Sequence, residues 1–171
     1  MRGAWVIGEP SRAVMMRTLL TAFVITVAGC TTVGNAPVDN PADGLDRDRF
    51  ACAVEPILAR DCSYTGCHGN EQFPLRVYSV GKLRAGSMDT LDDRLVTLTD
   101  DERRANFESA AAFAFGGVAP DDNQLIRKAL PAQSGGYAHL GGAIFTGRSD
   151  ARAVAIHDWL DGGAGCPGGA P

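Results

Sequence analysis

The spacing of apolar residues along the chain predicts four helices. The first runs from Asp46 to about Ala59 and is bent at Pro56, because proline removes one helical hydrogen bond and clashes with the preceding turn. Its apolar residues recur at helical intervals and therefore lie on one side. They are Phe50, Val54, Ile57 and Leu58.

The second and third helices are predicted mainly from the residues that start them. Thr99 and Glu102 form a capping box, in which each side chain satisfies a free backbone N–H of the other residue. The helix that follows is rich in Ala and Phe, reaches Phe115 and is stopped by a pair of glycines. A short third helix is expected to begin with Asp121 or Asp122 as its cap.

The last helix is predicted over residues 150–161, with Ser149 or Asp150 as its cap and two glycines after its end. Trp159 is expected at the edge of its buried side. The predicted buried residues are Ala153, Ile156, His157 and Leu160.

Long glycine-rich connections separate these helices, and only Leu75–Tyr78 has the character of a strand. The fold class is therefore predicted to be mostly α, with long loops. Long loops in a small helical domain usually need something besides an apolar core to order them.

The N-terminal part has the layout of an export signal. Leu19–Ala28 is an uninterrupted run of ten apolar residues and threonines, with Arg17 before it and Gly29-Cys30 after it. Such a run spans about 15 Å as a helix, half of a bilayer core, so a permanent transmembrane helix is not expected. Val27–Cys30 resembles the lipobox of bacterial lipoproteins, which implies that residues 1–29 are removed and that Cys30 carries lipid.

Residues 30–44 are polar, contain Pro and Gly and lack any apolar period, which predicts a flexible tether. One domain is expected over residues 45–166, followed by a tail at 167–171.

The expected mature chain is acidic. Residues 1–29 hold three of the 16 basic and one of the 20 acidic residues, which leaves 13 basic and 19 acidic residues and a net charge near −6. The chain has no basic stripe, so nucleic acid is not expected as a partner. Lipid rather than charge is expected to hold the protein at a membrane.

The segment Cys62-Ser-Tyr-Thr-Gly-Cys67-His68 is the part of the sequence that indicates chemistry. In a C-x-x-C-H site, two thiols bond to the vinyl groups of haem c and the adjacent histidine becomes the proximal iron ligand. Here the spacer is two residues longer. Cys62 and Cys67 are the predicted thioether residues, and His68 is the predicted proximal ligand.

Residues on both sides of this segment form one pattern of short motifs. They are Phe50, Val54, Pro56-Ile57-Leu58, Cys62, Cys67-His68-Gly69, Leu75, Leu125-Ile126-Arg127-Lys128, His139-Leu140-Gly141-Gly142, Phe145 and Ile156–Ala164. This pattern resembles the planctomycete-type cytochrome c domains that also occur in secreted proteins of myxobacteria. The resemblance covers residues 50–164 and implies a small cytochrome c-like helical domain around one covalently bound haem.

Three residues are candidates for the second axial ligand of the iron. Met88 follows His68 by 20 residues in a loop. His139 lies in a glycine-rich stretch, where small residues would let backbone approach the haem ring closely. His157 is predicted on an apolar helix face, where a histidine is more often a hydrogen-bonded core residue. The resemblance includes His139, which is therefore the expected distal ligand, with Met88 as the alternative and His157 or an open site after it.

Cys52 and Cys166 are then left over. Free thiols usually pair in an oxidising compartment, and cytochrome c-like folds bring the first and last helices together, so a Cys52–Cys166 disulfide is expected. Without haem, four cysteines would form two disulfides in one of three pairings, such as Cys52–Cys62 with Cys67–Cys166. A zinc site would instead use Cys62, Cys67 and His68.

The expected function is electron transfer by a membrane-anchored periplasmic lipoprotein with one haem c and a periplasmic or outer-membrane redox partner. Thr31 after the lipidated cysteine favours the outer membrane. Enzymatic activity is not predicted, since the sequence has no Ser-His-Asp arrangement, no G-x-S-x-G motif and no phosphate-binding loop. The alternative is a binding or structural lipoprotein stapled by disulfides and without haem.

Overall fold

The computed structural model describes residues 42–86, 90–114 and 118–168, and within these ranges it is helical and contains no strand. The prediction of a mostly α protein is confirmed. The signal segment, Cys30, most of the tether and Met88 lie outside the described residues. The elements are α1 (Arg47–Arg49), a π-helical segment (Phe50–Val54), α2 (Glu55–Asp61), α3 (Leu91–Leu95), α4 (Asp100–Ala111), a 3-10 turn (Pro120–Asp122), α5 (Gln124–Arg127), a second 3-10 turn (Ala132–Ser134) and α6 (Ala151–Leu160).

No helix in the described part of the chain is long and apolar enough to cross a membrane.

The predicted first helix is present as α1, the π segment and α2 in direct succession, with Asp46 as its cap. Pro56 explains the π segment, because its ring would clash with the carbonyl group four residues earlier in a regular helix. The wider turn brings the Glu55 N–H to the Phe50 carbonyl oxygen instead. The irregularity therefore lies in the turn just before the proline.

Three aromatic rings form the centre of the core. The Phe50 ring lies 5.5 Å from that of Phe107 and 5.2 Å from that of Trp159, and the Phe107 and Trp159 rings are 6.2 Å apart, all measured between centroids. The prediction that Trp159 lies only at the edge of the buried side of the last helix is wrong, since its side chain is fully buried. Its indole N–H donates to the Asp46 carbonyl oxygen at 3.0 Å, which satisfies the one polar atom of the ring.

The last helix also differs from the prediction at His157. Ala153 and Ile156 are buried, as expected, but His157 remains about one-third exposed. It lines a cleft with Asp121 and Arg148. His157 is therefore not part of the core, whereas Trp159 is.

The helix caps agree with the sequence at two sites and differ at a third. Thr99 and Glu102 form the predicted capping box at the start of α4, and Asp150 caps α6. The cap of α5 is Asn123, which corrects the prediction of Asp121 or Asp122. Asn123 accepts from the Leu125 N–H at 2.9 Å and donates to the Phe113 carbonyl oxygen at 2.8 Å, and the two aspartates belong to the preceding 3-10 turn.

A buried ion pair joins α4 to the long loop before it. The Arg84 guanidinium donates to both carboxylate oxygens of Glu102, each at 2.9 Å, and both side chains are 1% exposed. The remaining Arg84 N–H groups bond to the carbonyl oxygens of residues 93, 94, 96 and 97 at 3.0–3.2 Å. One side chain thus orders the backbone around α3.

The disulfide prediction is confirmed. Cys52, in the π segment, is bonded to Cys166 after α6, with 5.9 Å between the Cα atoms and a sequence separation of 114. Cys62 and Cys67 are free. The alternative pairing of Cys52 with Cys62 and of Cys67 with Cys166 is therefore wrong.

Candidate functional site

The loop Cys62–Gly69 follows α2 and is closed by its own backbone. The His68 N–H donates to the Cys62 carbonyl oxygen at 3.0 Å, and the N–H groups of Cys67 and Gly69 donate to the Tyr64 carbonyl oxygen at 2.8 and 3.0 Å. A Cβ atom at residue 69 would lie 2.0 Å from the Ser63 carbonyl oxygen. Only glycine therefore fits after His68 in this loop.

Lys82 holds the start of the loop against the end of α2. Its ammonium group donates to the carbonyl oxygens of Ala59 and Arg60 at 2.9 and 3.3 Å and to the Ser63 hydroxyl at 3.0 Å. The same group lies 4.0 Å from the centroid of the Tyr64 ring. A cation is favoured at this place because the last carbonyl groups of a helix carry partial negative charge.

The segment Leu75–Tyr78 orients the His68 imidazole. The predicted strand character of this segment is not borne out, since its residues form no strand in the described part of the chain. The His68 Nδ1 lies 2.9 Å from the Leu75 carbonyl oxygen, and the Val77 N–H donates to the His68 carbonyl oxygen at 2.8 Å. Because the Leu75 carbonyl oxygen can only accept, its contact makes Nδ1 the donor of the neutral ring and leaves Nε2 as the acceptor.

His139 is held within its own glycine-rich loop. Its Nδ1 lies 3.3 Å from the Gly142 carbonyl oxygen, and the Gly142 N–H donates back to the His139 carbonyl oxygen at 2.9 Å. A Cβ atom at residue 141 would lie 2.9 Å from the His139 ring. Glycine at residue 141 therefore leaves room for the His139 imidazole, and the close approach of backbone to a haem ring stays a prediction.

The structure brings His68 and His139 together. Their ring centroids are 5.9 Å apart and their planes differ by 9°. The two rings are therefore stacked, and the residues predicted as proximal and distal ligands are neighbours. The Phe73 and His68 rings are inclined at 71° to each other, with 6.2 Å between centroids.

The electrostatics favour neutral groups at this site. Burial lowers the pKa of the His68 imidazole and His139 lowers it further, whereas the Leu75 carbonyl oxygen acts in the opposite direction. Burial raises the pKa of the Cys62 thiol to about 11, with the charges of Asp61 and Cys67 adding to the effect. The favoured forms are a neutral imidazole and a protonated thiol.

Among the residues that the structure describes, no three His, Cys, Asp or Glu side chains converge on a possible metal position. The zinc site considered from the sequence, with Cys62, Cys67 and His68, would require such a cluster. Haem requires fewer protein donors, since the porphyrin supplies four nitrogens and the chain only the axial ligands. Two imidazoles and two free thiols are a donor set that fits haem c.

Sequence reasoning missed the residues that support His68. Asn106 and Ser109 on α4 bind the backbone of residues 76–78, and Lys82 binds the loop. The available signal was Asn106 itself, a polar residue next to Phe107 on the core side of a predicted helix. Comparison of the chain with models of protein families, with curated proteins and with solved structures gave no match.

Proposed function

We propose that this chain is a c-type cytochrome-like lipoprotein that carries one covalently attached haem and transfers single electrons. The observation that carries the proposal is the parallel pair of His68 and His139, taken together with the free thiols of Cys62 and Cys67 in the loop that ends at His68. A cytochrome c-like arrangement of the helices around the haem is part of the proposal. The iron supplies a one-electron couple, and its axial ligands and burial set the potential.

Cys62 and Cys67 would hold the haem through thioether bonds. In each, the thiol S–H adds across a vinyl C=C bond: sulfur bonds to one carbon and hydrogen goes to the other, so no oxidant or reductant is consumed. The thiols must stay out of disulfides for this addition, and the Cys52–Cys166 bond removes the other two cysteines of the domain from competition.

His68 and His139 would be the proximal and distal ligands. Both use Nδ1 for a backbone carbonyl oxygen, which fixes each ring and leaves Nε2 for iron. Methionine as an axial ligand raises the potential of a haem relative to histidine. The proposed bis-histidine site therefore has a lower potential than a His/Met cytochrome.

The remaining parts of the proposal come from the sequence. Cys30 would carry the lipid after removal of residues 1–29, which places the domain on a bacterial membrane facing the periplasm or the cell surface, with Thr31 favouring the outer membrane. The partner would be a periplasmic or outer-membrane redox protein. The chain would carry electrons and not act as an enzyme.

The first test is haem attachment to the full chain in a host that matures c-type cytochromes. We expect a red protein whose haem survives acid–acetone extraction and stains on a denaturing gel. Cys67→Ala should lose more stain than Cys62→Ala, because Cys67 adjoins His68 and anchors both the porphyrin and the ligand. A colourless protein would contradict the proposal and favour the haem-free structural alternative.

The second test concerns the distal ligand, with His157→Ala as the matched control on α6. We expect a low-spin ferric haem in the unchanged protein, without the weak long-wavelength band that methionine ligation produces. His139→Ala should give a high-spin or water-bound haem that is still covalently attached, and His157→Ala should leave the spectrum unchanged. A spectrum altered by Met88→Leu but not by His139→Ala would assign the ligand to Met88.

A further inference from the structure

One peptide unit connects His68 to α4. The Leu75 carbonyl oxygen and the Arg76 N–H are the two ends of the same planar group. The carbonyl end lies 2.9 Å from the His68 Nδ1, and the N–H end donates to the Ser109 hydroxyl at 2.8 Å. Ser109 thus fixes the orientation of the group that orients the imidazole, and hydrogen bonds in such a chain strengthen one another.

Asn106 lies one helical turn before Ser109 on α4. It binds the same segment at Tyr78, two residues after Arg76. Its Oδ1 accepts from the Tyr78 N–H at 2.7 Å, and its Nδ2 donates to the Tyr78 carbonyl oxygen at 2.9 Å and to the Glu55 carboxylate at 2.8 Å. The asparagine is 1% exposed and Glu55 is 4% exposed. A flipped amide would point its NH₂ group at the Tyr78 N–H and its oxygen at the Tyr78 carbonyl oxygen, so these bonds fix its orientation.

The hydrogen bonds of residues 75–78 therefore alternate between two sides of the segment. Leu75 and Val77 bond to His68, whereas Arg76 and Tyr78 bond to the side chains of Ser109 and Asn106. A short segment without regular secondary structure is thus held from both sides. Its position determines which nitrogen of His68 carries the proton.

We propose that Ser109 and Asn106 are positioning residues that fix His68 in the Nδ1-protonated tautomer and thereby present Nε2 as the ligating atom. The effect on the imidazole is independent of haem, whereas its consequence for iron rests on the proposed function. A hydrogen bond from Nδ1 makes a ligating histidine more basic, which stabilises the oxidised metal. Loss of the support should therefore raise the reduction potential.

The test uses NMR of the full chain in detergent, purified from a host that does not attach haem, at a pH where imidazole is neutral. Long-range ¹H–¹⁵N couplings report the tautomer of His68. In Ser109→Ala we expect the ratio of the Nδ1–H to the Nε2–H form to fall about fivefold, the equivalent of one ordinary hydrogen bond. Ser109→Thr, which retains the hydroxyl, should keep the ratio of the unchanged protein.

Asn106→Ala should produce a shift in the same direction, and Asn123→Ala is its matched control. Asn123 is also a buried asparagine that bonds to backbone groups, but it caps α5 and contacts neither His68 nor residues 75–78. If Asn106→Ala does not fold, the His68 tautomer in Ser109→Ala alone tests the inference. An unchanged His68 tautomer in folded Ser109→Ala would overturn the inference.

In the haem-loaded full chain, Ser109→Ala should raise the reduction potential and Asn123→Ala should not. A chain that takes up no haem would refute the proposed function, and the tautomer measurement would still decide the role of Ser109 and Asn106. Equal potentials for Ser109→Ala and the unchanged protein, with haem attached to both, would overturn the inference while leaving the proposed function intact.

Discussion

Replacing Glu102 with glutamine should strongly destabilise the domain, although the two side chains have nearly the same shape. Both carboxylate oxygens face only donors: Arg84 at 2.9 Å on each, the Ala85 N–H at 2.8 Å on one and the Thr99 N–H at 2.9 Å on the other. Glutamine would point an NH₂ group at donors in either orientation of its amide. The Arg84 charge would also remain buried without its partner.

The size of the effect follows from the pKa of Glu102. Burial opposes ionisation, but the Arg84 guanidinium and the N–H groups of Ala85 and Thr99 outweigh it and lower the pKa from 4.5 to about 2. At about 1.4 kcal/mol for each pH unit, the ionised carboxylate contributes about 3 kcal/mol to the free energy of unfolding. Because the pKa is lowered by folding, this stability is present above pH 4.5 and is lost as the pH falls towards about 2.

Removing one partner of a buried ion pair costs about 3–5 kcal/mol in other proteins, and we expect a loss in this range for Glu102→Gln at neutral pH. Asp93→Asn is the matched control, because Asp93 occupies the same position in the exposed capping box of Thr90. For Asp93→Asn we expect the free energy of unfolding to fall by less than about 1 kcal/mol.

Urea denaturation followed by the fluorescence of Trp159, the only tryptophan besides Trp5, measures both variants. The difference in free energy of unfolding between the unchanged protein and Glu102→Gln should be constant from neutral pH to about pH 5. It should then shrink towards about pH 2. A difference that stays constant on acidification would refute the pKa argument. A loss for Glu102→Gln no larger than that of Asp93→Asn would refute the argument from burial.

Three further predictions concern single sites. Gly69→Ala should cost at least about 2 kcal/mol in thermal unfolding, because the added Cβ would meet a backbone carbonyl oxygen at 2.0 Å, whereas Gly66→Ala, with nothing within 4 Å, should have little effect. Replacing Cys52 and Cys166 with serine should cost about 5 kcal/mol, since the disulfide closes a loop across 114 residues; equal stability of reduced and oxidised protein would contradict this. Cys30→Ala should abolish metabolic labelling with palmitate and leave the domain folded; persistent labelling would rule out Cys30 as the lipidated residue.

The local features of the fold could be predicted because their causes are local. The capping box of Thr99 and Glu102 depends on residues three apart, and the cap of α6 is Asp150, the residue directly before it. The burial of Trp159 could not be predicted in this way, because the carbonyl group that satisfies its indole belongs to Asp46, 113 residues away. The hydrogen bonds of Asn106 could not be predicted either, because its partners lie 28 and 51 residues away.

The two histidines of the proposed site are held by unequal means. The acceptor of the His68 Nδ1 is fixed by side chains of a separate helix, α4, and lies at 2.9 Å. The acceptor of the His139 Nδ1 is three residues further along its own exposed loop and lies at 3.3 Å. A contact within one loop moves with that loop, whereas a contact to a separate, packed helix requires part of the core to move. Under the proposed function, His68 is therefore the permanent ligand of the iron, and His139 is the ligand that exchanges more readily.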